Sequence, residues 1–406
     1  MRSKVTGIIL VTVIMVAAIW VYQDDKNKKK SNSEKPTNIV SAVSNTDSTK
    51  EEDLNDNTKN DEDVESNQQK MINLVQKNEN LNLKIESYKI SHPSCPVNSL
   101  ISPEYLDENN IIYVDYGDEV TSLVKYSIKN DRCEVLYDTK VGIGSITGLE
   151  GNLYWSEYNT SEIADVDWVI NNLPVNEPRK VEVIKKGSSN DGTPPPTLKV
   201  NKEKNILTWI EYEKKGTKLT SSIYSYSNQT SETDVLMERT LKEDTDTRDG
   251  KYLISQTTGE TGQIFYESVY KNNEKTFNLG IHSADTEKSF LKQKGIIDFS
   301  SNADILVTSG EGYLDIVDLS QDITLTYNNQ DRLTLDSPVF INKEKVIFRY
   351  GMNKLYMANI KEKSYSPITD YYELLSKPKK FNDFIAYATR SGDKSFTFHV
   401  IHVKPN

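Results

Sequence analysis

The chain has 406 residues, enough for one large domain or two small ones, and 60 acidic against 49 Lys and Arg residues leave a formal charge of −11. That balance excludes the broad basic face that nucleic-acid phosphates require, so no nucleic-acid partner is expected. Two cysteines, Cys95 and Cys133, are too few for a disulfide-built scaffold.

Residues 5–22 carry no charge, are rich in Ile, Val, Leu, Met and Ala, and end in Trp20 and Tyr22. A run of about 18 apolar residues lies near the lower limit for a membrane span, and the two aromatics sit where an interfacial belt would place them. A cleaved signal peptide would need a small-residue site, and Ala17-Ala18 is followed by Ile19 and Trp20. Residues 1–24 therefore read as a single-pass signal-anchor. The flanking cations Lys26, Lys28, Lys29 and Lys30 outnumber Arg2 and Lys4, which by the positive-inside count favours the cytoplasm. The polar stretch that follows has the composition of an extracellular stalk. The expected location is thus the cell membrane, with the remaining chain extracytoplasmic.

Residues 25–82 are Asn, Ser, Thr, Asp, Glu and Lys with scattered aliphatics and no aromatic ring. Such a segment cannot bury enough apolar surface to offset its ordering entropy, and it reads as a disordered linker. Residues 71–75 would add a turn or two of helix, marginal in water.

From residue 83 the pattern alternates with period two. One unit is clear: Ser337-Pro338, a strand, a polar turn, Val346-Ile347-Phe348-Arg349-Tyr350, a Gly351 turn, Lys354-Leu355-Tyr356-Met357, another turn, and a closing strand from Tyr365. The order recurs from Ser102-Pro103, from Thr193-Pro194-Pro195-Pro196, from Asp249-Gly250 and from Ile296, with a looser copy at 146–186. A spacing of about 40 to 50 residues is a propeller-blade period. The last unit holds two strands, at 384–389 and 396–403, and lacks its outer one. Residues 83–90 alternate as a strand and are the donor, because a ring closes when one terminus completes the other's blade. The count is seven blades, or six if the loose second unit is an insertion.

The unit from Ser337 to Ile360 resembles the TolB-like and WD40-like bacterial propellers, whose blades read Ser-Pro, a turn, an apolar strand and a Tyr-bearing strand. Asp249-Gly250-Lys251-Tyr252-Leu253 matches their Asp-Gly turn. The resemblance implies an all-β propeller over 83–406 and binding or scaffolding more often than catalysis.

In a propeller the loops of one face form the usual binding surface. Residues 158–168 read as a long insertion there, making Asp165, Asp167 and Trp168 contact candidates. Trp155, Glu157, Glu211 and Tyr212 end second strands near the same face. Trp168 equally suits packing of the insertion onto its blade. A protein, peptide or cell-wall glycan is the ligand class expected. No nucleophile elbow, phosphate loop or dinucleotide fingerprint is present, and no cofactor is expected. His399 and His402, three apart on a strand, point to opposite faces and suit no shared metal. The rival is a hydrolase or lyase, whose mark would be carboxylates with His, Tyr or Arg converging on the central axis. The strand order separates Cys95, in the connection entering the first unit, from Cys133, at the start of its fourth strand. A five-residue strand is about 17 Å long and bridged Cα atoms lie within about 7 Å, so the two are expected apart.

Overall fold

The computed structural model describes residues 70–403 apart from 79–80, 99–100, 160–165, 178–179, 190–192, 202–203, 244–247, 260–261, 273, 283–286, 293–294, 303, 322, 329–330 and 392–394. The expected membrane helix and most of the linker lie outside the described residues. Among those described, no helix is long and apolar enough to cross a membrane.

The described chain folds into six sheets, almost all antiparallel. The first runs Pro103–Leu106, Asn110–Tyr116, Thr121–Ser127, Arg132–Thr139 in spatial order. The second is built the same way from Gly142–Leu149 to Glu182–Ser189. The third has eight strands, from Lys199–Asn201 to Glu287–Lys292, because the long strand Glu232–Glu243 pairs with Arg248–Gly259. The fourth and fifth start at Asp298–Asn302 and Leu335–Asn342, and the sixth contains Phe384–Ser391 and Ser395–His402.

Innermost strands touch in sequence. Pro103–Leu106 meets Gly142–Leu149, which meets Lys199–Asn201, then Arg248–Gly259, Asp298–Asn302, Leu335–Asn342 and Lys379–Phe381, which returns to Pro103–Leu106. A closed cycle of radial antiparallel sheets is a β-propeller. Its apolar side chains fill the wedges between sheets. Ile111, Tyr113 and Val124 of the first pack on Phe396, Phe398 and Val400 of the sixth, while Ile112, Val114 and Leu123 pack on Leu153, Trp155 and Leu173 of the second. Strand alternation sends odd and even residues to opposite wedges, which is why both sets are apolar.

The Ser-Pro signature has a physical role. Proline lacks an N–H, and the ladder between Leu335–Asn342 and Lys345–Tyr350 shifts register between Asp336 and Val339, around Pro338. A similar shift follows Pro103.

Residues 85–90 complete the sixth sheet as expected, pairing from Ile85↔Ile401 to Ile90↔Phe396. His399 locks this closure. It is buried, its Nδ1 lies 2.9 Å from Ser87 Oγ of the closing strand, its Nε2 2.8 Å from Thr389 Oγ1, and its ring stacks on Tyr387 at 4.8 Å. Burial pulls its pKa down to about 4. The folded protein therefore resists a proton that the unfolded chain accepts at about 6.5. The associated stability is present above pH 6.5 and is lost as pH falls towards 4, by about 3 kcal/mol in all. Urea midpoints compared at pH 7 and 4.5 should show this drop in the wild type and a flatter profile in His399→Asn. Parallel profiles would exclude His399 as the sensor.

Two expectations are corrected. Residues 71–75 are not helical: Lys70–Asn73 pairs in parallel with Ile323–Asn328, and Val75–Gln76 with Ser364–Pro367. Ile72 and Leu74 alternate inward onto the cluster of Leu325 and Phe348, while Met71 and Val75 face solvent. Open outer edges offer a row of unpaired backbone groups, which favours an extended segment over an isolated helical turn. Pairing with the propeller sheets thus begins at Lys70 rather than at 83.

The cysteines are joined, Cys95 to Cys133, with Cα atoms 4.9 Å apart. The connection into the first sheet does not stay on one face but runs along the sheet. Cys133 N donates to Ser94 Oγ (3.0 Å), Tyr113 Oη to Pro96 O (2.9 Å), and Asn98 N to Asp115 Oδ1 (2.6 Å). The segment climbs from the start of Arg132–Thr139 to the end of Asn110–Tyr116, and Cys95 lies at its lower end.

Candidate functional site

The loop-face candidates lie mainly on strands. Tyr158 ends one strand and Val166–Pro174 begins the next, so Asp167 and Trp168 are strand residues rather than part of a long insertion. Asp165 lies outside the described residues. Trp155 is fully buried, and its Nε1 donates to Glu157 Oε1 at 2.7 Å. Trp209 and Glu211 repeat the contact at 2.7 Å. Side chains at i and i+2 share a strand face, so in each Trp-x-Glu-Tyr unit the carboxylate satisfies the indole N–H. Tyr212 Oη donates to Leu253 O at 3.0 Å, across to the next part of the eight-stranded sheet, and burial pushes its pKa up.

Trp168 is buried against Trp209 and Leu207. Its cross-strand partner is Gly187, where a Cβ would stand 2.2 Å from the indole, so glycine is required for this close approach. Trp168, Glu211 and Tyr212 share a cavity of about 50 Å³ with Pro194 and Pro196. That volume suits a water or two, not a ligand. Asp167 is exposed, and Glu157 is half-buried. A larger open groove of about 600 Å³ lies on the first sheet between Lys125, Arg132 and Glu134. Lys125 and Glu134 neutralise each other there at 2.6 Å.

A denser set of charges gathers at the axis. Glu104, on Pro103–Leu106, pairs with Lys379, on Lys379–Phe381. Asp336 takes both forks of Arg349, Nε at 2.8 Å and Nη2 at 2.6 Å, and Arg349 Nη1 donates to Leu375 O at 2.9 Å. Asp298 accepts Phe299 N at 3.0 Å and Ser337 N at 3.1 Å. Lys377 reaches between the two aspartates, 3.7 Å from Asp336 and 3.9 Å from Asp298.

Lys199 is a half-buried residue of the inner strand Lys199–Asn201. Burial holds its pKa below the usual lysine range, partly offset by the field of Asp298 and Glu104 and reinforced by Lys377 and Lys379. Those four charges come from the first, fourth and sixth sheets, while Lys199 stands on the third.

These residues were not singled out from sequence. A signal existed, since the prolines that mark inner-strand entries also mark them. Glu104 follows Pro103, Asp336 precedes Ser337-Pro338, Lys377 and Lys379 flank Pro378, and Lys199 follows Pro194-Pro195-Pro196. Among the described residues no group of three His, Cys, Asp or Glu is placed to hold a metal ion.

No protein-family model matches the chain, and no curated protein matches it significantly. Solved structures similar to it include a prolyl endopeptidase, at 13% identity and TM-score 0.49, over 76% of this chain and 50% of that one. The chain therefore spans half the length of that enzyme. YCF48, solved with a D1 peptide, matches at 9% identity and TM-score 0.49 over 82% of this chain and all of that one (100%). TolB from Acinetobacter baumannii matches at 10% identity and TM-score 0.37, over 73% and 65%. These likenesses assign no activity, substrate or partner to this chain.

Proposed function

We propose that this chain is a membrane-tethered, extracytoplasmic binding propeller of seven blades. The eight-stranded sheet counts as two blades in this reading, consistent with its two inner strands, Lys199–Asn201 and Arg248–Gly259, taking successive places in the ring. The ligand is a protein, a peptide or a cell-wall glycan.

The observation that carries a binding role is the self-paired axial network. Asp336 is committed to Arg349 and Glu104 to Lys379, which leaves neither carboxylate free as a general acid or base. The Cys95–Cys133 bridge supports an oxidising compartment. Protease added to intact cells should degrade the propeller portion while cytoplasmic markers survive. Full protection until the cells are lysed would refute the extracytoplasmic placement.

One feature favours a second reading, a hydrolase or lyase working at the axis. Lys199 has a lowered pKa, which suits a general base. Reducing ends released from an acidic glycan by the wild type, and lost in Lys199→Met, would establish that reading over the first.

A further inference from the structure

The outer strands of the ring are protected unevenly. Arg132–Thr139, Glu182–Ser189 and Glu232–Glu243 each shift register against the strand inside them. A bulge of that kind twists an edge away from further pairing. Ile85–Ile90 carries Glu86 and Lys89, and Glu287–Lys292 carries Glu287, Lys288 and Lys292. Charges on an edge serve the same end. Residues 70–76 differ. After Lys70 they read Met-Ile-Asn-Leu-Val-Gln, with no charge and no proline, and their pairing with Ile323–Asn328 runs without a shift.

The backbone of this segment has an open side. Leu74 N donates to Thr326 O at 2.8 Å. N–H and C=O groups alternate sides along a strand, so Ile72 and Leu74 face the ladder while Met71 and Asn73 turn theirs outward. No described residue bonds those outward groups. Val75 N returns to the propeller, on Lys363 O at 3.0 Å, so the open row is short. The side chains beside it are apolar and wet, with Met71 67% and Val75 62% exposed.

Such an edge is completed by another extended strand. A second copy supplies one in matching register. Antiparallel about a two-fold axis, Met71 meets Asn73 of the second copy and Asn73 meets its Met71, which satisfies the outward groups of both residues. Lys70 falls opposite Leu74, so no like charges meet. We propose that residues 70–73 of two copies pair edge to edge, joining two propellers through their fourth sheets. This goes beyond the binding reading and draws on it only for the membrane tether, which raises the effective concentration of a contact too short to be tight in free solution.

The test uses the full chain carrying Asn73→Cys, reconstituted in phosphatidylcholine vesicles and treated with a short bismaleimide. Cys95 and Cys133 are joined to each other and do not compete. Cross-linked dimer should rise with the protein-to-lipid ratio and exceed by about tenfold that from Val183→Cys, an exposed position on a bulged strand. Equal yields would mark random collision and overturn the proposal. Met71→Pro removes an outward N–H and leaves the ladder to Ile323–Asn328 its donors. Added to the Asn73→Cys chain, it should cut the dimer about tenfold without moving the thermal midpoint. If that variant loses its fold, Met71→Lys with Val75→Lys sets like charges along the shared edge and should cut the dimer similarly. A dimer yield indifferent to these substitutions would overturn the pairing. A chain that does not float with the vesicles would refute the anchor, and the same comparison at rising concentration in solution then decides the pairing by itself.

Discussion

Replacing Asp336 with alanine should destabilise the propeller by about 3–5 kcal/mol, measured as the shift in urea-unfolding free energy. Asp336 and Arg349 have side-chain exposures of only 6% and 10%, so little water screens the pair. Removing the carboxylate strands the guanidinium in the interior with one carbonyl, Leu375 O, as its remaining acceptor. It also takes the nearer counter-charge from Lys377. The loss comes from the orphaned charge rather than from the pair's net attraction, because desolvation already cancels much of that attraction. The double variant Asp336→Leu, Arg349→Leu should therefore recover most of the stability lost by Asp336→Ala alone. A loss below about 1 kcal/mol in the single variant would mean that the pair is hydrated and behaves as a surface bridge.

Opening the Cys95–Cys133 bridge should cost roughly 3–4 kcal/mol, from loop-closure entropy for a separation of 38 residues. The segment it fixes packs into the wedge between the sixth and first sheets, where Cys95, Val97 and Cys133 lie against the cluster of Tyr113, Tyr126 and Phe398. That wedge is also where the closing strand Ile85–Ile90 leads into the first sheet. The bridge thus fastens the seam at which the ring is joined. Thermal unfolding with and without reductant should show the drop in the wild type and none in the Cys95→Ser, Cys133→Ser double variant. Identical curves for oxidised and reduced wild type would refute a stabilising bridge. Protonation of His399 acts on the same seam through Ser87, so reduction and mild acid should each loosen ring closure.

The all-β propeller was legible because its signals are local. Strand alternation, Ser-Pro and Asp-Gly punctuation, and the recurrence of a four-strand unit need only neighbouring residues. The closing strand at 85–90 was legible too, since an incomplete last unit and an unassigned leading strand imply each other. Trp168 as a packing residue was one of two open choices, and Gly187 opposite it is what the sequence could not pair with it.

What the sequence alone determined, then, is the repeat and the period-two faces that fill the wedges. Only the tertiary structure decided the rest, because it depends on residues brought together from distant blades. Glu104 meets Lys379 across 275 positions, and no spacing rule relates them. Cys95 reaches Cys133 because the connection follows the sheet, a path that strand order does not specify. Residues 70–76 are strands because outer edges built more than 240 residues later offer them partners, whereas their own composition supports no structure. Closing the ring converts local alternation into an axis, and only then do the inner strands and their connections bring Glu104 to Lys379 and Asp336 to Lys377.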